Sequence, residues 1–276
     1  MNDLGLGEFI DRNTFRVVRE YPHSIERLWA ALTDSEQLSV WLWHCPRLVA
    51  RPGGDFVFDF GFGKQWRGQI SSFDAPRLID FGGFLRFELT ELREGSRLTM
   101  IQKRSPGGWS PMGLAGFHGW LGRLVRLLDG VPNDVADRWA NEHYPWEALF
   151  LAYERLIRDS LAGGATPIYR VHFEENASAL NGEARKHLDE LVQVLKERPE
   201  LSVTIDGFGD DPCAQEDSVK LAAKRIEESR HYLESAGISS DRIEVGFTLG
   251  NYHYLVPRET AAGRAFNRRI ELRPTY

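Results

Sequence analysis

The sequence predicts an α+β protein in two parts, an antiparallel sheet packed on helices and then a β-α-β-α-β-β unit. The first half holds many short strand-like segments separated by Gly and Pro turns, with helical segments at both ends. All eight Trp lie between Trp29 and Trp146, which indicates two separately built cores. Residues 161–167, LAGGATP, have the glycines and proline typical of a helix end followed by a linker. We therefore expect domains at residues 1–162 and 166–276.

The elements of the first part follow from spacing and turn residues. Residues 14–21 predict a strand, and Ser24 is placed to cap a helix with apolar residues at helical spacing. Residues 47–60, RLVARPGGDFVFDF, predict two strands joined by a Pro-Gly-Gly turn. Four more strand segments follow, KQWRGQISSFD, RLIDFGG, LRFELTEL and SRLTMIQKR. Two helices close this part, one around residues 117–128 and one that begins near Pro145.

Four segments of the first part carry a family resemblance. YPHSIERLWAALTDSEQLSVWL, ARPGGDFVFDF, GQISSFDAPRLIDF and GFHGWLGRLVRLLDG occur in the order that resembles the activator-of-Hsp90-ATPase-like branch of the START-like, helix-grip superfamily. The resemblance covers roughly residues 10–160 and implies a curved antiparallel sheet that grips a C-terminal helix over a cavity. Candidates to line that cavity are Trp66, Phe81, Phe87 and Trp120, although a core role is favoured for each. The family does not fix the chemistry, because its members include ligand carriers, cyclases and chaperone partners.

The second part alternates strands and helices. IYRVHF, LSVTIDG, DRIEVGF and RRIELR read as strands. Leu188, Leu191 and Leu195 mark one face of a first helix, and Ala222 and Ile226 mark a second. This order predicts a sheet with helices packed on it.

The second part resembles an OmpA-like, peptidoglycan-associated domain over about residues 168–273. The resemblance rests on FEENASALN, VTIDGFGD, LAAKRIEESRHYLESAGI and GRAFNRRIEL. In that family, the Asp that ends a Gly-His-Thr-Asp motif and an Arg on the next helix bind the amino and carboxylate groups of diaminopimelate. The matching positions here are Asp210 and Arg225. Asn267 and Arg268, from an Asn-Arg-Arg triplet that mostly shapes the sheet and the nearby loop in the family, complete the candidate ligand-binding residues.

The proposed pair suits a zwitterion. An Arg can grip a carboxylate bidentately and an Asp can take an ammonium. Phe208 and Gly209 depart from the family's His and Thr, and Ser218 replaces its helix Asn. The alternative is an ordinary surface ion pair, which contributes about 0–1 kcal/mol. Asp211 is expected to be only a solvated or capping acid.

Composition excludes several classes of protein. Hydrophobic and charged contents of 42% and 27% are those of a globular chain, and a net charge of −6 argues against nucleic acid or anionic lipid as a partner. Neither a run of about 18 apolar residues nor a secretory signal is found, so a cytoplasmic location is expected, with unconventional export to the envelope as the alternative. Cys45 and Cys213 are expected to be free thiols. The spacing of His and Cys indicates no metal site, and we expect no cofactor.

Together these patterns favour a non-enzymatic two-domain binding protein. The first domain would bind an apolar small molecule or a protein partner, and the second a diaminopimelate-type peptide end of peptidoglycan. One alternative is a cytoplasmic scaffold whose OmpA-like domain docks another protein. Another is a cyclase or aromatase-like enzyme, for which Asp59, Glu88 and His118 are the only acid–base candidates and form no convincing set.

Overall fold

The α+β class is confirmed by a computed structural model that describes residues 5–61, 64–104, 109–131, 146–160, 168–251, 255–256 and 258–275. The chain divides into two compact units, Met1–Ser105 with Met112–Ala140, and Pro106–Pro111 with Asn141–Tyr276. This division groups the helix Trp146–Ser160 with the second unit, whereas the sequence placed it at the end of the first domain. The predicted linker at residues 161–167, and Pro145, lie outside the described residues.

The first unit is built on an antiparallel sheet of eight described strands in the order β1-β2-β8-β7-β6-β5-β4-β3. The strands are β1 Glu8–Asp11, β2 Thr14–Tyr21, β3 His44–Leu48, β4 Asp55–Gly61, β5 Lys64–Asp74, β6 Leu78–Phe81, β7 Leu85–Leu92 and β8 Gly95–Lys103. The helices are α1 Ile25–Thr33, α2 Ser35–Trp41 and α3 Pro111–Leu128. As predicted, Ser24 caps α1, because its Oγ accepts a hydrogen bond from the Arg27 N–H at 3.3 Å.

The core of the first unit lies on one face of this sheet. Along β2, Phe15 and Val17 are buried, whereas Val18, the next residue, is exposed. This alternation is typical of a half-buried strand. Helix α3 covers this face, and the ring centroids of Phe117 and Trp120 lie 5.4 and 4.9 Å from that of Trp43. These edge-to-face contacts fix α3 against the sheet.

The four predicted cavity-lining aromatics pack against other rings. Phe81 and Phe87 are completely buried, and their ring centroids lie 6.2 Å apart. The centroid of Trp66 lies 4.8 Å from that of Phe56, and Trp120 is also buried. These contacts support the core role that was favoured for each residue; the cavity-lining role stays a prediction.

The second unit contains a mixed sheet of four described strands in the order β11-β10-β12-β9. The strands are β9 Tyr169–His172, β10 Ser202–Phe208, β11 Ile243–Gly250 and β12 Arg269–Thr275, and the helices are α4 Trp146–Ser160, α5 Gly182–Glu197, α6 Gln215–Ser235 and α7 Ala261–Asn267. Strand β10 is parallel to β11 and antiparallel to β12. The seven-residue helix α7, capped by Thr260, was absent from the predicted β-α-β-α-β-β order. Helix α4 is tied to β9 by the ion pair of Glu154 with Arg170 at 2.6 Å.

Asp206 joins three strands of this sheet from within. Its Oδ1 accepts the N–H of Phe247 on β11 at 2.8 Å, and its Oδ2 accepts Nε of Arg273 on β12 at 2.8 Å. A Cβ at position 246 would collide with Asp206 Oδ1, so Gly246 is required at this irregularity of the ladder. The end of β10 that leads to the predicted ligand site is therefore rigidly placed.

The stability of the first unit distinguishes a packed core from a ligand-lined cavity. Phe81→Ala removes a fully buried ring, so we expect it to lower the free energy of unfolding by about 3–5 kcal/mol. Phe60→Ala is the matched control, because Phe60 is 38% exposed and should cost about 1 kcal/mol or less. Urea denaturation of the full chain measures both values. Equal, small effects would mean that Phe81 faces a cavity.

Candidate functional site

The loop between β10 and α6 carries two adjacent aspartates, and only the second meets Arg225. Asp211 Oδ2 lies 2.9 Å from Nη1 of Arg225, Oδ1 lies 3.1 Å from Nη2, and both side chains are fully buried. Asp210 and Arg225, which were predicted to bind the two ends of one ligand, are held in separate contacts, because Asp210 bonds Asn267 instead. The prediction that Asp211 is only a solvated or capping acid is wrong. The two adjacent acids of this loop therefore have different partners, Arg225 for Asp211 and Asn267 for Asp210.

The Arg225–Asp211 pair also holds a neighbouring loop. Arg225 Nε donates to the carbonyl of Ala177 at 2.8 Å, and Nη2 donates to the carbonyl of Glu174 at 3.2 Å. In return, the N–H of Asn176 donates to Asp211 Oδ1 at 2.8 Å. The guanidinium of Arg225 is thus engaged in internal contacts and faces no solvent.

Asp210 has a different environment, with one oxygen bound and the other without a hydrogen bond. Its Oδ2 accepts from Nδ2 of Asn267 at 3.0 Å. Its Oδ1 is buried and has no hydrogen-bond partner in the part of the chain that the structure describes. Nη2 of Arg258 lies 3.1 Å from that oxygen, as an ion-pair contact, and the Arg258 side chain is 46% exposed. Burial raises the pKa of Asp210, while the Asn267 hydrogen bond and the charge of Arg258 oppose this rise.

Asn267 and Arg268 lie beside Asp210, as the sequence predicted for the site. Asn267 Oδ1 accepts the N–H groups of Leu255 and Val256 at 2.8 and 3.1 Å, which ties that segment to α7. Nη1 of Arg268 lies 3.5 Å from the main-chain carbonyl of Asp210. Three of the four predicted residues therefore come together, and Asn267 is the one that positions the Asp210 carboxylate.

The departures from the family motif are compensated by contacts within the unit. Phe208, in place of the family's His, is fully buried, and the guanidinium of Arg269 lies 4.0 Å from the centroid of its ring. Gly209, in place of Thr, leaves room for Ser218, because a Cβ at position 209 would collide with the Ser218 hydroxyl. That hydroxyl donates to Asn251 Oδ1 at 2.6 Å. The polar groups of the usual motif are thus replaced by packing and by one amide.

Two residues of the site were missed by sequence reasoning. Asn251 accepts the N–H of Asp211 at 3.1 Å and donates to its carbonyl at 3.0 Å, so it fixes the loop that presents both acids. Arg258 contacts the Asp210 carboxylate, and the segment that contains Arg258 shows no helical or strand periodicity. Neither residue belongs to a segment on which the family resemblance rests, and no spacing signal marked them.

The acid–base candidates of the first unit are not brought together. Asp59 accepts from Nε2 of Gln65 at 2.9 Å, and Glu88 is paired with Arg86 at 2.7 Å. Both acids alternate with fully buried phenylalanines, so they lie on the outer face of the sheet. His118 lies on α3, which covers the inner face, and burial lowers its pKa to about 4.

Cys45 and Cys213 are both free, as predicted, and burial raises the pKa of the Cys45 thiol to about 11. Within the described ranges, no cluster of three or more His, Cys, Asp or Glu could hold a metal ion. In the same ranges, no helix combines the length and apolarity needed to cross a membrane.

Family models match both halves of the chain. Residues 22–129 match the model described as activator of Hsp90 ATPase homolog 1-like protein, and residues 172–268 match the OmpA family model. The two-domain fusion predicted from the sequence is thereby confirmed.

Similar proteins match parts of the chain. A peptidoglycan-associated lipoprotein of Rhizobium meliloti is 30% identical over 74 residues, which cover 27% of this chain and 42% of the relative. The peptidoglycan-binding protein ArfA of Mycobacterium bovis is 34% identical over 86 residues, which cover 31% of this chain and 26% of the relative. The chain thus spans less than half the length of either relative. The crystal structure of the peptidoglycan-associated lipoprotein from Burkholderia pseudomallei aligns with 24% identity and a TM-score of 0.37, over 43% of this chain and 96% of that one.

The buried pair yields a stability prediction. Asp211→Ala leaves the Arg225 charge buried without its carboxylate, so we expect a loss of about 3–5 kcal/mol of unfolding free energy. Asp217→Ala is the matched control, since Asp217 lies on α6 with its side chain 65% exposed and should cost about 0.5 kcal/mol or less. Chemical denaturation checks both. A loss of under about 1 kcal/mol for Asp211→Ala would show that the pair does not hold the corner.

Proposed function

We propose that this chain, which joins an activator-of-Hsp90-ATPase-1-like domain to an OmpA-family domain, is a non-enzymatic binding protein of the cell envelope. Its second unit would hold the free amino-acid end of a peptidoglycan peptide, and its first unit an apolar small molecule or a protein partner. The observation that carries this proposal is Asp210, a buried carboxylate whose Oδ1, among the described residues, lacks a hydrogen bond and makes an ion-pair contact with the half-exposed Arg258.

The ligand's ammonium would replace the guanidinium of Arg258 at Asp210. A buried carboxylate oxygen without a hydrogen bond is costly, and a charged N–H donor relieves that cost. Arg258 supplies the same charge from a side chain that is 46% exposed. An ammonium group at this position would therefore exchange one cation for another, without leaving Asp210 uncompensated.

The ligand's carboxylate would be received by arginines at the same place. The charges of Arg258, Arg264 and Arg268 all act on Asp210, so the surroundings of this acid are basic. Once displaced, Arg258 can form a charge-assisted bond with the carboxylate of the same ligand. The sequence suggested that Arg225 binds the ligand. In this proposal Arg225 instead holds the loop through Asp211.

Two relatives support the choice of ligand by the functions in their names, peptidoglycan-associated lipoprotein and peptidoglycan-binding protein. Diaminopimelate in an uncrosslinked peptide carries an ammonium and a carboxylate on one carbon, which is the pair of charges that Asp210 and the surrounding arginines would accept. A location in the cell envelope follows from this ligand, with recycled wall fragments in the cytoplasm as the alternative source.

Binding assays with purified sacculi and with soluble meso-diaminopimelate test this function. Asp210→Asn keeps the shape of the side chain and its contact with Asn267 but removes the charge, so we expect affinity to fall about 10- to 100-fold. Asp217→Asn, which changes an exposed acid of the same unit, should bind like the wild type. Pimelate, which lacks the amino groups, should not compete. Equal retention of Asp210→Asn and wild type on sacculi would favour the alternative in which this unit docks a protein.

The raised pKa of Asp210 predicts an acid limit to binding. Only the ionised carboxylate attracts an ammonium, so affinity for meso-diaminopimelate should fall as pH drops through a midpoint above 3.8, the ordinary value for Asp. Without ligand, the pH dependence of stability has the opposite sign. Burial favours the protonated form of Asp210 in the folded state, so the free energy of unfolding falls as pH rises from 3.8 to the folded pKa. Calorimetric titrations across the acidic range measure the first effect. Asp210→Asn should bind weakly at every pH, and a wild-type profile without this midpoint would contradict the assignment.

A further inference from the structure

The first unit also contains buried polar atoms without a hydrogen-bond partner among the described residues, and one of them, the Tyr21 hydroxyl, belongs to the inner face of β2. The side chains of Phe15, Val17, Arg19 and Tyr21 alternate with the outward residues of this strand and so share the face that α3 covers. Two of these four positions are apolar, as a core strand requires. The other two place a guanidinium and a phenol at the end of the same face.

The hydroxyl of Tyr21 is buried without a partner. The residue is only 4% exposed, and no hydrogen-bond partner for its oxygen exists among the described residues. Burial raises the pKa of Tyr21, so the phenol stays neutral and keeps its proton to donate. Buried tyrosine hydroxyls usually find a partner, and one left unpaired costs about 1–3 kcal/mol. A phenylalanine at this position would avoid that cost, so the hydroxyl itself requires an explanation.

Arg19 supplies a positive charge beside this hydroxyl. Its Nη1 donates to the carbonyl of Val18 at 2.9 Å, and its Nη2 donates to the carbonyl of Gly5. Within the described parts of the chain, no carboxylate lies at ion-pair distance from Arg19. Its charge is felt by two neighbours, since it lowers the pKa of both Tyr21 and His118. The inner face of β2 therefore carries a half-buried cation whose hydrogen bonds, as far as residues 5 onwards describe them, go to neutral carbonyls.

We propose that the first unit binds a small apolar carboxylate whose oxygens are received by the Arg19 guanidinium and the Tyr21 hydroxyl. The two residues are two positions apart on one strand, so their Cβ atoms are separated by roughly 7 Å, and side chains of their length can converge on one anion. A carboxylate matches the single unbalanced charge and accepts both donors at once. This site names the ligand class of the first unit and does not depend on the Asp210 site.

The surroundings select the rest of the ligand. Val17 and Leu98, which flank Arg19 along and across the strands, are each 1% exposed. An apolar body is therefore favoured next to the carboxylate, and a singly charged anion matches the one charge of Arg19 better than a phosphate would. His118 is neutral at physiological pH because its pKa is lowered to about 4, so it adds no positive charge.

The test is a calorimetric titration of the full chain with acetate, hexanoate and decanoate, and with decanol as the neutral control. We expect affinity to rise with chain length among the acids and decanol to bind at least 10-fold more weakly than decanoate. Tyr21→Phe and Arg19→Gln should each lower decanoate affinity 10-fold or more. Arg16→Gln is the matched control, because Arg16 lies on the outer face of the same strand, paired with Glu8, and should bind like the wild type.

A thermal melt of Tyr21→Phe separates a binding role from a structural one. If the hydroxyl has no partner within the fold, its removal leaves Tm unchanged or raised, while decanoate affinity falls. A lowered Tm with unchanged affinity would make Tyr21 structural and overturn the proposal, as would wild-type protein that binds no acid of the series. Retention on sacculi should be the same for Tyr21→Phe and wild type, so failure here is distinguishable from failure of the Asp210 site.

Discussion

The second unit depends on the buried contact between Arg225 and Asp211. A desolvated charge cannot lose its partner without a large cost, so these two side chains are bound to each other wherever the corner of β10 and α6 is folded. Through the carbonyls of Glu174 and Ala177, the same guanidinium fixes the loop that follows β9. The constraint has a second consequence. By pairing with the fully buried Arg225 of α6, Asp211 leaves Asp210 with the half-exposed Arg258, the partner that the proposed ligand would replace.

The family resemblance located this corner and matched Asp210 to the family's acid, but it did not indicate that Asp211 is the acid bound to Arg225. Fourteen or fifteen residues separate Arg225 from Asp211 or Asp210, and either spacing brings α6 back over the loop. Which of the two acids meets Arg225 depends on the direction of each side chain in the loop after β10. That direction is set by backbone angles, which sequence spacing does not specify. Strand β2 and the Ser24 cap were predictable because each rests on a local pattern. Helix α7 was not predictable, because a helix of seven residues is too short to show a helical periodicity in the sequence.

The altered motif shows how a loop can keep its shape after losing its usual polar residues. Phe208 packs beneath Arg269, which itself bonds Glu271 at 2.8 Å, so a buried ion pair and an aromatic ring occupy the place of a hydrogen-bonding residue. Gly209 and Ser218 are coupled, because only a residue without Cβ lets the Ser218 hydroxyl reach Asn251. Phe208, Gly209 and Ser218, which replace polar residues of the family motif, therefore also hold the loop rigid. A preorganised binding site requires such rigidity.

Each unit also carries a polar atom that folding alone would not favour. Asp210 Oδ1 and the Tyr21 hydroxyl are both buried without a hydrogen bond in the described structure. Arg258 lies 3.1 Å from the first, and Arg19 lies two residues from Tyr21 on the same strand. An unsatisfied buried group costs about 1–3 kcal/mol, which is a large share of a typical domain's stability. The well-packed cores around Phe81 and around Ile205 can carry that cost. A ligand that bonds such an atom recovers this cost. In our proposals, Asp210 Oδ1 and the Tyr21 hydroxyl, two of the buried polar atoms without a hydrogen bond in the described structure, are where a ligand would gain binding energy.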